Sequence, residues 1–183
     1  MTMRRVISAL VHDRPGVLNR VASMFRRRGF NIASLAVGHS ERPEFSRMTI
    51  VVDNVPESAL WQVTSQLWNV VDVVEVMDIT DEDYVARETA LIKVRATQES
   101  RGHIVEILDL FRGAEVVSVS PSTVILEITG PTEQVESLLA LLEPFGIIEL
   151  MRTGLVALTK DEQVPQDGEF RAPALVGARP NRV

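Results

Sequence analysis

The stretch Val6-Ile7-Ser8-Ala9-Leu10-Val11-His12-Asp13-Arg14-Pro15-Gly16-Val17-Leu18, carried on through Arg28-Gly29-Phe30-Asn31-Ile32-Ala33-Ser34-Leu35, reads as strand, tight turn, helix, turn and strand. Asp13 suits a helix cap. Pro15 suits a first helical turn, where its missing N–H would be unpaired in any case, and Gly16 lets another group approach the backbone. This turn leaves a helix N-terminus open, and its amide hydrogens and positive dipole end attract an anion such as a carboxylate. The Asp13 carboxylate beside it can hold an ammonium. Those are the two charges of a free amino acid.

Outward from this stretch, Val17, Leu18, Val21, Met24 and Phe25 recur at helical spacing and predict an inward face, and Gly29 stops the helix. Arg26, Arg27 and Arg28 fall in the last turn, where cations complement the dipole on a solvated surface. Asn31 to Gly38 and Phe45 to Val52 read as a hairpin around the turn residues His39 to Glu44. Asn54 and Glu57 form a capping-box pattern for a helix carrying Leu60, Val63 and Leu67, with Trp61 and Trp68 on one stripe that covers the sheet or a subunit contact. Val70 to Ile79 closes the unit as an apolar strand. The order is βαββαβ, which predicts an α+β domain over 1–79 with an antiparallel sheet covered on one face.

The polar run Thr80-Asp81-Glu82-Asp83-Tyr84 predicts a linker over 80–86. Beyond it, Thr89 to Ala96 reads as a strand, and Arg101 to Phe111 as a helix with Ile104, Ile107, Leu108 and Phe111 inward. Ala114 to Val119 and Thr123 to Thr129 form a hairpin around Ser120-Pro121-Ser122. A helix after Gly130-Pro131 carries Val135, Leu138, Leu139 and Leu142, and Ile147 to Leu158 returns as one long strand around Gly154. A second βαββαβ unit over 87–160 follows. The two halves repeat at an offset of about 84 residues. The second has Gln98-Glu99-Ser100-Arg101 where the first has its proline-glycine turn, so ligand binding is assigned to the first alone. Residues 161–183 have no sustained period and predict a disordered tail.

A formal charge of −6 and a pI near 5.1 argue against nucleic acid or an anionic membrane as the main partner. An RNA-binding sheet would also need aromatic residues on its central strands, where Phe45 stands alone. The chain has no cysteine, which removes disulfides, thiol catalysis and thiolate metal sites. His12, His39 and His103 show no metal-ligand spacing, and no nucleophile, base and orienter stand together. A stand-alone enzyme would require chemistry hidden in the pocket, shown by activity without a partner subunit. His12 is the histidine nearest the proposed pocket. The start Met1-Thr2-Met3-Arg4-Arg5 leads into an apolar strand too short for a signal-peptide core or a membrane span, so a cytoplasmic location is expected.

The Asp-x-Pro-Gly-x-Leu turn followed by a helix and Gly29-Phe30-Asn31-Ile32 resembles the amino-acid-sensing ACT domains. Ser46-Arg47-Met48-Thr49-Ile50, Val71-Asp72-Val73, Phe111-Arg112-Gly113, and Gly146-Ile147-Ile148-Glu149 with Arg152-Thr153-Gly154 are similar to the regulatory small subunits of acetolactate synthase. The resemblance covers about residues 4 to 160 and implies two ferredoxin-like units, an N-terminal ACT domain and a C-terminal ACT-like domain. It implies a non-catalytic role: activating a catalytic large subunit that holds thiamine diphosphate, magnesium and flavin, and transmitting feedback by valine. It also implies at least a homodimer, in which the effector lies between the turn of one chain and the second strand of its neighbour. The main-chain amides near Gly16, Val17 and Leu18 would take the effector carboxylate, and Asp13 or Asn31 its ammonium, with Asn31 and Ile32 opposite Asp13 and Gly16. Many small subunits carry asparagine in place of Asp13 and glutamate in place of Ser34, departures that bear on affinity and effector choice. A free-standing ACT sensor of another pathway is the alternative, and the second unit argues against it.

Overall fold

The computed structural model describes residues 2–56 and 59–160. Glu57 of the expected capping box and the expected tail over 161–183 lie outside the described residues. Two compact units are present: the chain through Val85 together with the described residues from Ala157 on, and Ala86–Val156.

In the first unit, β1 (Thr2–His12), α1 (Val17–Arg28), β2 (Asn31–His39), β3 (Phe45–Pro56), α2 (Leu60–Trp68) and β4 (Val73–Asp78) follow in the expected order. The sheet runs β2-β3-β1-β4 and every pairing is antiparallel. The alternation along β1 sends Ile7, Ala9 and Val11 into a core completed by Val21, Phe25, Ile50, Val63 and Leu67. Leu18, expected inward, is 48% exposed, because Val17, Val21, Met24 and Phe25 already fill the narrow face that α1 presents to the sheet. The tryptophans also divide: Trp68 packs against the core, whereas Trp61 is 56% exposed.

Asn54 does not cap α2, which begins at Leu60 behind Ala59 with no side-chain cap. Asn54 instead lies within β3 at φ 57°, where the register shifts between Met3↔Val55 and Arg5↔Val52. Asp53 and Asn54 together oppose Arg4, a β-bulge whose left-handed residue asparagine tolerates. The face of the sheet turned away from the helices is also occupied, since Val6, Leu10, Thr49 and Val51 are buried and the Ala157 N–H donates to Thr49 Oγ1 at 3.3 Å.

The expected linker is tied to the first unit and shorter than 80–86. Thr80 Oγ1 accepts the Val6 N–H at 2.8 Å, Arg5 bridges Asp78 and Asp81, and β5 (Tyr84–Arg95) has already begun at Tyr84. The Arg5 pKa is raised: burial opposes its charge, and the hydrogen bonds and attraction of Asp78, then Asp81, outweigh that.

The second unit continues with α3 (Ser100–Leu108), β6 (Ala114–Val119), β7 (Thr123–Gly130), α4 (Thr132–Leu142), a single 3-10 turn over Glu143–Phe145 and β8 (Ile147–Arg152). Its sheet runs β6-β7-β5-β8 over a core of Ile92, Ile104, Leu126, Ile128, Leu138 and Leu142. The long final strand expected over 147–158 is two strands, β8 and β9 (Val156–Thr159), separated at Thr153–Leu155. The break follows from side-chain competition: the Thr153 hydroxyl accepts the Thr89 N–H at 3.1 Å and donates to the Gly154 carbonyl at 2.9 Å. β9 pairs with β5, and just beyond it the Lys160 N–H donates to the Asp83 carbonyl at 2.8 Å. Residues 157–160, expected in the second unit, cluster with the first by their contacts. Among the described residues no helix is long and apolar enough to cross a membrane.

Candidate functional site

The turn that joins β1 to α1 is longer than the expected one, because α1 starts at Val17. Pro15 stays outside the helix, and Gly16 is the residue before its first turn, at φ 86°, ψ −5° and with no side-chain cap. This left-handed geometry is the reason glycine is needed there. Asp13 is therefore not a cap. Its backbone N–H donates to the Glu44 carbonyl at 2.8 Å, and its carboxylate Oδ2 lies 3.1 Å from His39 Nδ1. The Val17 N–H donates to the Arg14 carbonyl at 3.3 Å, so of the amides expected to take a carboxylate this one is engaged in the turn itself. Leu18, on the next residue of α1, turns its side chain outward beside the same helix start.

Arg20, one turn into α1, donates Nε–H to Asp72 Oδ2 at 2.6 Å, and its Nη1 lies 3.3 Å from the point where a Cβ would stand on Gly16. The Asp72 carbonyl accepts the His12 N–H at 2.9 Å, which ties the end of β1 to the segment before β4. The His12 ring packs on Phe45 with centroids 4.9 Å apart, a strand-end role. The pKa of Glu41, in the β2–β3 loop, is lowered, first by its own backbone N–H, which outweighs the opposing effect of burial, with Arg47 and Arg42 adding to the lowering.

Asp13, Gly16, Val17 and Leu18 are brought together, whereas Asn31 and Ile32 are not. On β3, His12 stands opposite Phe45 and His39 opposite Ser46, while Asn31 stands opposite Asp53 and Ile32 opposite Val52. Eight residues of extended chain, about 27 Å at about 3.4 Å each, separate the two groups along the sheet. Within one chain they cannot contact one ligand the size of an amino acid. β2, which carries Asn31 and Ile32 at one end and His39 at the other, is an edge strand of its sheet.

His39 is the neighbour of the turn that sequence reasoning missed. The signal was the hairpin itself: pairing β2 with β3 at Ser46, next to the Phe45 that pairs with His12, returns His39 to the end of the sheet where Asp13 sits. The matching turn of the second unit is filled by its own side chains. Thr97 and Ser100 exchange hydrogen bonds, the Thr97 N–H to Ser100 Oγ at 2.9 Å and the Ser100 N–H to Thr97 Oγ1 at 3.2 Å. Arg101 Nη2 donates to the carbonyls of Ser120 and Pro121 at 2.8 and 3.2 Å. Among the described residues, no three histidine, aspartate or glutamate side chains are grouped to hold a metal ion.

Two family models match the chain: an AHAS small subunit-like ACT domain over residues 7–75, and the small subunit of acetolactate synthase over 87–161. The acetolactate synthase small subunit of Mycolicibacterium smegmatis is 48% identical over 159 residues, covering 87% of this chain and 92% of that protein. That of Bacillus subtilis is 42% identical over 161 residues, covering 88% and 93%. The crystal structure of the small subunit from Thermotoga maritima superposes with a TM-score of 0.78 at 39% identity, covering 88% of this chain and 99% of that one. With both units matched in order and nearly the full length shared, the chain belongs to the family of acetolactate synthase small subunits.

Proposed function

We propose that this chain activates the catalytic large subunit of acetolactate synthase and makes it answer to a branched-chain amino acid, valine, in the pathway to valine, leucine and isoleucine. The chemistry would reside in the large subunit with its thiamine diphosphate, magnesium and flavin, and the assembly would be cytoplasmic. In this reading two first units pair through their β2 edges about a two-fold axis. The observation that carries it is the separation of Asn31 from Asp13 to opposite ends of the sheet. A two-fold that pairs β2 with β2 antiparallel reverses those ends: a register centred on Leu35 sets Asn31 of one copy across from His39, and so beside Asp13, of the other. The effector carboxylate then meets the start of α1 near Gly16 and Leu18, its ammonium meets Asp13 or Asn31, and Ile32 borders its side chain.

Selectivity follows from size. Burying a valine side chain is worth roughly 1.5 to 3 kcal/mol and each methylene about 0.8, so valine is readily told from alanine, whereas leucine and isoleucine are rejected only by steric limits. Inhibition at a distance requires valine to favour one arrangement of the assembly, with a typical coupling of about 1 to 3 kcal/mol. The decisive experiment assays a large subunit of this family with and without the chain, then with valine. Activation by the chain and its reversal by valine, the latter lost in D13A, is the expected result. A large subunit indifferent to the chain overturns the reading and returns the free-standing sensor.

A further inference from the structure

We propose that His39 is a positioning residue of the effector site, and that its protonation weakens binding of the amino acid by competing for the Asp13 carboxylate. The inference rests on the reading of Asp13 as the acceptor of the effector ammonium. Its own ground is geometric. His39 Nδ1 and Asp13 Oδ2 are 3.1 Å apart, and the two side chains are 85% and 44% exposed, so the carboxylate is open both to the imidazole and to an incoming cation. The backbone on each side is fixed: the Asp13 N–H is held on the Glu44 carbonyl, and His39 is paired with Ser46 in the sheet. The fold therefore holds the two backbones at one end of the sheet, within reach of each other's side chains.

A neutral imidazole with its proton on Nδ1 donates to Oδ2 and leaves Oδ1 for an ammonium; the full negative charge remains. An imidazolium makes the same hydrogen bond but cancels that charge, and the ammonium then meets a neutral pair. Imidazole is the side chain that makes this change between pH 5 and 8. An amino acid keeps both its charges throughout that range, so the ligand contributes no titration of its own. Linkage then requires that binding releases a proton from His39, and that affinity rises with pH until the imidazole is neutral.

The other charged groups on the elements that meet here are Arg14 and Arg20 from the turn and α1, Glu41, Arg42 and Glu44 from the β2–β3 loop, and Asp72 and Arg47 beyond them. Arg20 is paired with Asp72, and Glu41 with Arg47. The arginines keep their charge across the window, and Glu41 is held ionised by its lowered pKa. His12 is the second imidazole at this end of the sheet, and its ring packs on Phe45.

Titration calorimetry of the full chain with L-valine at pH 5.5, 6.5 and 8.0, in buffers of unlike ionisation enthalpy, tests the inference. Affinity should rise by about fivefold from the lowest to the highest pH, the scale of an exposed charge pair, with net proton release at pH 6.5. H39N, which keeps a donor where Nδ1 stands, should bind at all three pH values with one affinity and no proton release, while H12Q keeps the dependence. Valine binding that is independent of pH, or a dependence that survives in H39N or vanishes in H12Q, overturns the role of His39 and leaves the amino-acid reading intact. No binding by the parent at any pH overturns both.

Discussion

Arg20 and Asp72 are joined across the entrance to α1, the guanidinium Nε to Oδ2 at 2.6 Å, although the residues lie 52 apart in sequence. Their environments differ: the Asp72 side chain is 9% exposed and that of Arg20 is 49% exposed. Removing either partner is therefore not equivalent. An arginine freed by D72A can rehydrate, whereas a carboxylate freed by R20A stays largely buried without its counter-charge. We expect R20A to cost about 2 kcal/mol and D72A about 1 kcal/mol, read as shifts of the urea midpoint at constant slope. Equal losses would show that Asp72 is hydrated once its partner is gone.

Two turn glycines should separate by what a Cβ would meet. At Gly16, φ is 86° and the nearest atom is the flexible end of Arg20 at 3.3 Å; at Gly113, φ is 79° and the nearest is the Thr129 carbonyl oxygen at 2.7 Å. A guanidinium swings aside, and a carbonyl within β7 does not. G16A should cost about 1 kcal/mol and G113A about 3 kcal/mol. Thermal melting of the two variants gives the order directly.

In the second unit, Glu88 is 5% exposed and its carboxylate is held by Arg152, which also reaches Glu136. Burial works against the Arg152 charge, yet its pKa is raised because the hydrogen bonds to Glu88 and Glu136 and their attraction outweigh it. R152M leaves Glu88 buried without compensation and should destabilise by about 3 kcal/mol. The double variant E88Q/R152M removes the charge as well and should recover more than half of that loss. A double-mutant cycle by denaturant unfolding measures it.

Glu41 sets a pH dependence of known sign. Its folded pKa lies below the ordinary 4.5, chiefly through its own backbone N–H and then Arg47. Its contribution is therefore fully present above the unfolded value and lost as pH falls through the folded value. E41Q should be slightly less stable than the parent at pH 7, and the two melting curves should converge in acid. A difference that persists below pH 3 would assign the effect to packing.

Much of this architecture is written in local pattern. The period-two alternation of β1, the helical spacing of Val17, Val21, Met24 and Phe25, and the repeat in the second half predict two βαββαβ units, because strands and amphipathic helices are set by neighbours two to four residues away. Local pattern failed where a side chain or backbone group had a choice of partners. Asn54 satisfies a helix-cap pattern and also tolerates the left-handed bulge in β3, and strand pairing with β1 decides between them. Thr153 and Gly154 read as part of one strand until the Thr153 hydroxyl finds Thr89, 64 residues away.

The place of the turn with Asp13 and Gly16 was legible by itself, since a proline-glycine pair marks the junction of a strand run and a helical run, but its conformation was not: Gly16, not Asp13, precedes the helix, and Pro15 stays outside it. Nor were its surroundings. That His39 stands on Asp13, that Arg20 leans over Gly16 on a buried Asp72, and that Asn31 lies at the far end of the sheet depend on which strands are neighbours and in what register. The sequence by itself determined the two units and the place of the turn because propensity, periodicity and turn chemistry act over a few residues. The tertiary structure alone decided which charges meet at that turn, because strand order and register are settled by the burial of whole faces, a sum over residues far apart in the chain.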